Sequence, residues 1–177
     1  MLKTMVNKCK RCDGTGKIID QIIPFAGGSM GFGLPAAVGF ALSKKLKGEE
    51  GTVYCYMSDG ELNCGTVWEA ALIAGHHKLD NLVVFVEVNG FQAMGRTEDV
   101  LEAGFPNKNW SVHMIDGHDY DMIDRAIYAA EKGVGSPIAF ITKTTKGKGV
   151  SFMSGDNKWH YLKLEEEDYK KALECLK

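Results

Sequence analysis

The chain has 177 residues, 45% of them hydrophobic, and a formal net charge of −2. That is enough apolar material for one globular core, and the near-neutral balance excludes an electrostatic partner such as nucleic acid or an anionic membrane. No stretch reaches the length of a membrane span, the first residues lack an apolar leader segment, and five cysteines without framework spacing indicate a reducing, cytoplasmic setting.

Residues 1–24 are polar, basic and turn-rich, and read as an N-terminal arm ahead of an α/β domain over residues 25–177. The arm holds Cys9-Lys10-Arg11-Cys12, half of a zinc knuckle. Zinc needs four ligands and no second Cys-x-x-Cys follows, so a reduced pair is the favoured reading and a zinc-dependent docking arm the weaker one. Next comes the glycine-rich turn Gly27-Gly28-Ser29-Met30-Gly31-Phe32-Gly33, which allows a backbone to approach a bulky ligand but is a weak signal alone. From Gly33 to Lys47 the apolar residues Leu34, Val38, Leu42 and Leu46 recur at i+4, with Pro35 near the start, and predict a helix.

The run 52–57 predicts a strand that ends at Ser58-Asp59-Gly60-Glu61. Residues 65–77 are apolar on nearly every face and predict a buried helix, in which Glu69 stands out as a carboxylate needing a partner. A structural hydrogen bond and a functional role weigh about equally for it. The adjacent His76 and His77 point in different directions on a helix, so shared metal ligation is not expected. A second strand over 82–88 ends at Asn89-Gly90-Phe91, followed by a long loop to about residue 110. A short strand at 112–115, a helix from Asp119 to Lys132 stopped by Gly133, a strand at 137–142 and a tail helix at 165–176 complete the pattern. The tail helix opens with acidic residues, matching the helix dipole. Alternating helices and strands of this kind predict a mostly parallel sheet flanked by helices.

The interval between Asp59 and Asn89 carries the functional reading. The two residues lie thirty positions apart, each directly after a strand of one βαβ unit. In open parallel sheets ligands bind outside the C-terminal strand ends. A carboxylate and an amide oxygen there are hard donors, suited to a divalent cation that also holds a phosphate. His160 beside Trp159, after the loop Lys146-Gly147-Lys148-Gly149, is by default a packing or surface residue, as are His113 and His118.

Taken in order, several segments resemble the thiamine-diphosphate-binding domain of transketolases. They are Gly28-Ser29-Met30-Gly31-Phe32-Gly33-Leu34-Pro35, Ser58-Asp59-Gly60-Glu61-Leu62, Val67-Trp68-Glu69-Ala70-Ala71, Asp116-Gly117-His118-Asp119, Lys146-Gly147-Lys148-Gly149 and Trp159-His160. The match covers roughly residues 25–162 with the spacing of the family. The resemblance implies that Asp59, Asn89 and the carbonyl of Phe91 coordinate Mg²⁺ or Ca²⁺, bridging to the cofactor diphosphate. It implies that Gly60 and Glu61 lie at the cofactor, that Gly28, Ser29 and Met30 touch its aminopyrimidine side, and that His160 contacts cofactor phosphate and substrate. Glu69 matches an interior glutamate near a dimer interface, and with His160 forms the implied catalytic pair.

The implied activity is transfer of a two-carbon ketol unit between sugars or sugar phosphates. Three positions depart from the family pattern: Ser58 stands for a usual glycine, Cys64 for a usual glutamate and Tyr161 for a usual glycine. Family members also carry a longer segment before the glycine turn and a pyrimidine-binding domain. The expectation is therefore one subunit of a split, oligomeric enzyme, inactive alone, whose partner is a pyrimidine-domain subunit; supply of the preceding segment by a separate chain and its loss both stay open. Two alternatives stay open: a 1-deoxyxylulose-phosphate-synthase-like reaction, and a non-catalytic scaffold that keeps the fold.

Overall fold

The computed structural model describes residues 27–92, 95–96 and 109–177. The proposed arm, and with it Cys9 and Cys12, lies outside the described residues. Four strands form one wholly parallel sheet: β1 (Val53–Ser58), β2 (Leu82–Val88), β5 (Ser111–Asp116) and β6 (Ile138–Lys143), in the order β1-β2-β6-β5. Two short strands, β3 (Phe91–Gln92) and β4 (Gly95–Arg96), pair antiparallel within the region expected to be a long loop. Helices α1 (Gly33–Lys47), α2 (Gly65–His76), α3 (Tyr120–Glu131) and α4 (Glu166–Cys175) fall within a residue or so of their predicted spans.

The two faces of the sheet bury different residues because strand side chains alternate. On one face Cys55, Met57, Leu82, Val84, Val86 and Ala139 pack against α1 and α2. On the other, Val83, Ile115, Ile138 and Phe140 pack against Ala126 and Ala130 of α3. That second layer stops short of β1, where Tyr54 and Tyr56 point outward, Tyr56 being 69% exposed. Trp110 pins the entry of β5 to α2 by donating its indole N–H to the Ala71 carbonyl at 2.8 Å.

Helix α1 buries Leu34, Ala37, Val38 and Ala41, whereas Leu46 is 78% exposed. The strict i+4 row read from the sequence drifts around a helix by about 40° per step, so its fourth member leaves the core face. Helix α2 also departs from expectation. It is not buried all round: Val67, Ala70, Ala71, Ala74 and Gly75 face inward, while Glu69, Leu72, Ile73 and His76 are exposed. Glu69 is therefore a surface carboxylate on this chain rather than a buried one. The sequence signal was real, since apolar residues do occupy the outer face, but only one side of α2 has a neighbour among the described residues. In α3, Asp119 caps the first turn by accepting the Met122 N–H at 2.9 Å, and Gly133, at φ 66°, follows its end as predicted.

Cys55 sits in the core of β1, where burial, reinforced by the Glu61 carboxylate, pushes its thiol from 9.0 up to about 12. A group whose pKa is raised by folding lends stability below its unfolded value and loses it as pH climbs through the folded one. Stability is expected to fall between pH 9 and 12 on this account, and Cys55→Val should flatten that alkaline limb in urea melts compared across the range. A limb of unchanged slope in the variant would contradict the assignment.

Candidate functional site

Because the four strands are parallel, all their C-terminal ends lie along one edge, and the helix and loop entries that follow them gather there. Asp59 leaves β1 in a single 3₁₀ turn, Asp59–Asn63, and is fully buried at 0% exposure. Its carboxylate is held by two backbone donors. The Gly60 N–H reaches Oδ1 at 2.9 Å, and the Gly90 N–H, just past the tip of β2, reaches Oδ2 at 3.1 Å. The second bond joins the ends of neighbouring strands and brings Asp59 to the Asn89 turn. Asn89 Oδ1 accepts the Phe91 N–H at 3.0 Å, and Gly90 turns with φ 82°.

Around this pair the glycine turn and β3 close in. A Cβ placed on Gly60 would lie 3.4 Å from Gln92 Cβ and 3.6 Å from Met30 Cε, so the Gly60 backbone runs between those two side chains. Glu61 fixes the glycine turn. Its Oε2 accepts the Gly31 N–H at 2.9 Å and its Oε1 accepts the Ser58 N–H at 3.0 Å. Thr66 Oγ1 donates to the Gly31 carbonyl at 3.0 Å. Gly31 has φ 79°, and a Cβ there would collide with Cys64 Cβ at 2.5 Å, so only glycine fits between the turn and the start of α2.

The loop that follows β6 supplies the other wall. The Thr144 N–H donates to the Val88 carbonyl at 2.9 Å, and Thr144 Oγ1 donates to Glu87 Oε1 at 3.0 Å, tying the loop to the tip of β2. Lys146 Nζ lies 3.3 Å from His160 Nδ1. His160 ends a second 3₁₀ turn, Asn157–His160, whose Asn157 side chain donates to the Gln92 carbonyl at 3.5 Å. Trp159 is anchored by its indole N–H on the Phe152 carbonyl at 3.1 Å.

Asp59, Gly60, Asn89, Phe91 and Met30 thus converge at the tips of β1 and β2, and the turn of Gly28 and Ser29 is bound to them through Gly31 and Glu61. Both carboxylate oxygens of Glu61 engage backbone N–H groups of the protein. Glu69 lies on the outer face of α2, away from this inner cluster. Two participants escaped the sequence reading, Asn63, whose amide bonds to Gln92, and Gln92 itself, while His118, read there as a packing or surface residue, accepts the Thr145 N–H. The first two follow directly on the motif residues and were detectable only as neighbours. His76 and His77 meet edge to face at 5.0 Å, and no three His, Cys, Asp or Glu side chains cluster as metal ligands among the described residues. A site made of one carboxylate, one side-chain amide and one backbone carbonyl suits a hard cation that takes its remaining oxygens from a ligand.

Oxygen donors gathered at adjoining strand tips of a parallel sheet mark this edge of an α/β domain as a candidate ligand site. The family model "Transketolase, thiamine diphosphate binding domain" matches residues 9–176. The chain belongs to that family. It is 39% identical over 151 residues, 82% of this chain and 55% of the relative, to the 6-deoxy-6-sulfo-D-fructose transketolase subunit SqwG of Clostridium sp. strain MSTE9. It is 37% identical over 155 residues, 85% of this chain and 56% of the relative, to one subunit of the apulose-4-phosphate transketolase of Actinobacillus succinogenes. The chain therefore spans about half the length of these curated relatives. Among solved structures, transketolase from Campylobacter jejuni superposes with a TM-score of 0.78 at 34% identity, covering 85% of this chain and 25% of that one. Transketolase from Leishmania mexicana gives 0.72 at 27% identity, over 82% and 24% of the two chains.

Replacing Glu61 by Gln puts an N–H₂ against one of two backbone N–H donors. The expected cost is about 1–3 kcal/mol in urea unfolding, with faster hydrogen exchange at the Gly31 amide. Unaltered protection at Gly31 would show that the turn stands without the carboxylate.

Proposed function

We propose that this chain is the diphosphate-binding subunit of a two-subunit transketolase that moves a two-carbon ketol unit between sugars or sugar phosphates. The observation that carries the proposal is the bond from the Gly90 N–H to Asp59 Oδ2, which sets the tips of β1 and β2 side by side. Asp59, Asn89 and the Phe91 carbonyl are the proposed ligands of Mg²⁺ or Ca²⁺, and their all-oxygen chemistry fits that metal. Gly60 offers backbone at the diphosphate, and Met30 with the Gly28-Ser29 turn borders the ring end.

When bound, thiamine diphosphate supplies the carbon nucleophile of the reaction. The chain's own residues hold and orient. A lysine ammonium has only donors, so the Lys146 contact leaves His160 Nδ1 as acceptor and places the imidazole proton on Nε2, a donor suited to a phosphate oxygen. Glu61 keeps the glycine turn in place. Ser58, at the position of a usual glycine, contributes its backbone N–H to Glu61.

By their names, the two relatives described above belong to enzymes of an anionic ketose, a sulfonate in one and a phosphate in the other, and that class is the proposed substrate here. The partner is a subunit carrying the pyrimidine-binding domain. The exposed apolar side of α2, with Leu72 at 65% and Ile73 at 47% exposure around Glu69, supports an oligomeric assembly. No helix of the described residues is long and apolar enough to cross a membrane. Cys55, Cys64 and Cys175 are free thiols, which supports the cytoplasmic setting proposed for the enzyme.

Thiamine diphosphate with Mg²⁺, at about 100 times its Kd, should raise Tm by about 5–10 °C. Asp59→Ala should abolish the rise. Ketol transfer should appear only when the partner chains are added. Absence of any ligand-induced rise in the wild-type chain, or turnover by the chain alone, would refute the proposal.

A further inference from the structure

Lys143 closes β6 and Lys148 lies in the loop after it, both exposed and neither in an ion pair with a described residue. Both line one cleft of about 490 Å³ at the C-terminal ends of β5 and β6. The single carboxylate in its lining, Asp116, is engaged within its own loop, where Oδ1 accepts the His118 N–H at 2.8 Å. Two ammonium groups against one engaged carboxylate make the cleft cationic on a chain whose net charge is −2. Met114, Ile115 and Met122 give it an apolar part as well.

Hydrogen bonds among the lining segments shape the cleft before any ligand arrives. The Gly117 N–H donates to the Lys143 carbonyl at 2.7 Å, and a Cβ on Gly117 would meet Thr144 Cγ2 at 2.5 Å, so the exits of β5 and β6 lie flush. The Thr145 N–H donates to His118 Nε2 at 2.8 Å, which joins the loop after β6 to the loop after β5. The Asp116 N–H donates to Met122 Sδ at 3.2 Å, which joins the same loop to α3. Ligands of parallel sheets sit outside strand ends of this kind, and the volume falls within the range of small-molecule sites. Neither Asp59 nor Asn89, at the tips of β1 and β2, belongs to the lining.

We infer that this cleft is a second binding site, for a small organic phosphate. Its dianionic head meets the Lys143 and Lys148 ammonium groups, which give up no ion pair to receive it. Its apolar body covers Met114, Ile115 and Met122, and Met114 is 63% exposed without it. Flexible thioethers adapt to the shape of such a body. The site stands apart from the strand-tip cluster and does not rest on the role proposed for it.

Phenyl phosphate, titrated into the full ¹⁵N-labelled chain at fixed pH and ionic strength, tests the assignment. It should give saturable amide shifts at Gly117, His118 and Thr145, and bind about 10-fold tighter than inorganic phosphate because of its ring. Lys143→Gln combined with Lys148→Gln should weaken it about 10-fold or more. Lys44→Gln combined with Lys47→Gln removes the same charge from α1 and should leave the affinity within about twofold. Both pairs are exposed, so native spectra are expected of both variants. Shifts gathered at Gly60 and Gly90 instead, equal losses in the two double variants, or equal affinity for the two phosphates would each overturn the site, as would the absence of any saturable shift.

Discussion

The bond between the Gly90 amide and the Asp59 carboxylate is the constraint from which the site follows. A fully buried carboxylate is costly unless its oxygens meet donors, and Asp59 meets them on both sides, one from its own turn and one from the next strand. The pairing is specific to the strand tips, because register places Ser58 opposite Glu87 and leaves Asp59 and Asn89 just beyond the ladder. An acid one residue earlier would lie on the opposite face of β1, with the exposed Tyr54 and Tyr56. Position in the strand, more than residue type, makes this pair a candidate ligand set.

A second carboxylate does related work from the other side. Glu61 spans from the β1 exit to the glycine turn, so the turn, the 3₁₀ segment and the start of α2 form one unit with Gly31 wedged against Cys64. The Cys64 departure from the family pattern falls in this wedge. A larger side chain at residue 64 would have to point away from Gly31, whereas the small thiol lies against it. The change at 64 is thus linked to how closely the turn approaches α2, as well as to whatever lies beyond that surface.

Most of the fold was legible in the sequence because the strands are short apolar runs bounded by turn residues, and every helix but α4 is required to bury at least two residues. The site was legible to the same degree where motif residues follow strands directly, as with Asp59, Gly60, Asn89 and Phe91. What could not be read was sidedness. Helix α2 is apolar all round, so composition cannot say that Glu69, Leu72 and Ile73 face away from the sheet; only the position of α1 decides it. The i+4 row of α1 misled for a geometric reason, the drift that carries Leu46 off the core face. Contacts such as His118 with Thr145 or Asn157 with Gln92 join residues far apart in sequence, and no local pattern announces them.

The two walls of the site are built to different standards. The strand-tip wall rests on carboxylates accepting backbone N–H groups in buried or half-buried surroundings, bonds to charged groups worth about 1.5–3 kcal/mol each. The loop wall rests on contacts between exposed or half-exposed groups, Lys146 with His160 and His118 with Thr145, where water competes for every donor. Local opening follows the weaker bonds. By this measure the strand-tip wall is the rigid one, because its N–H groups are committed to buried or half-buried carboxylates, and the loop wall is the part that opens first.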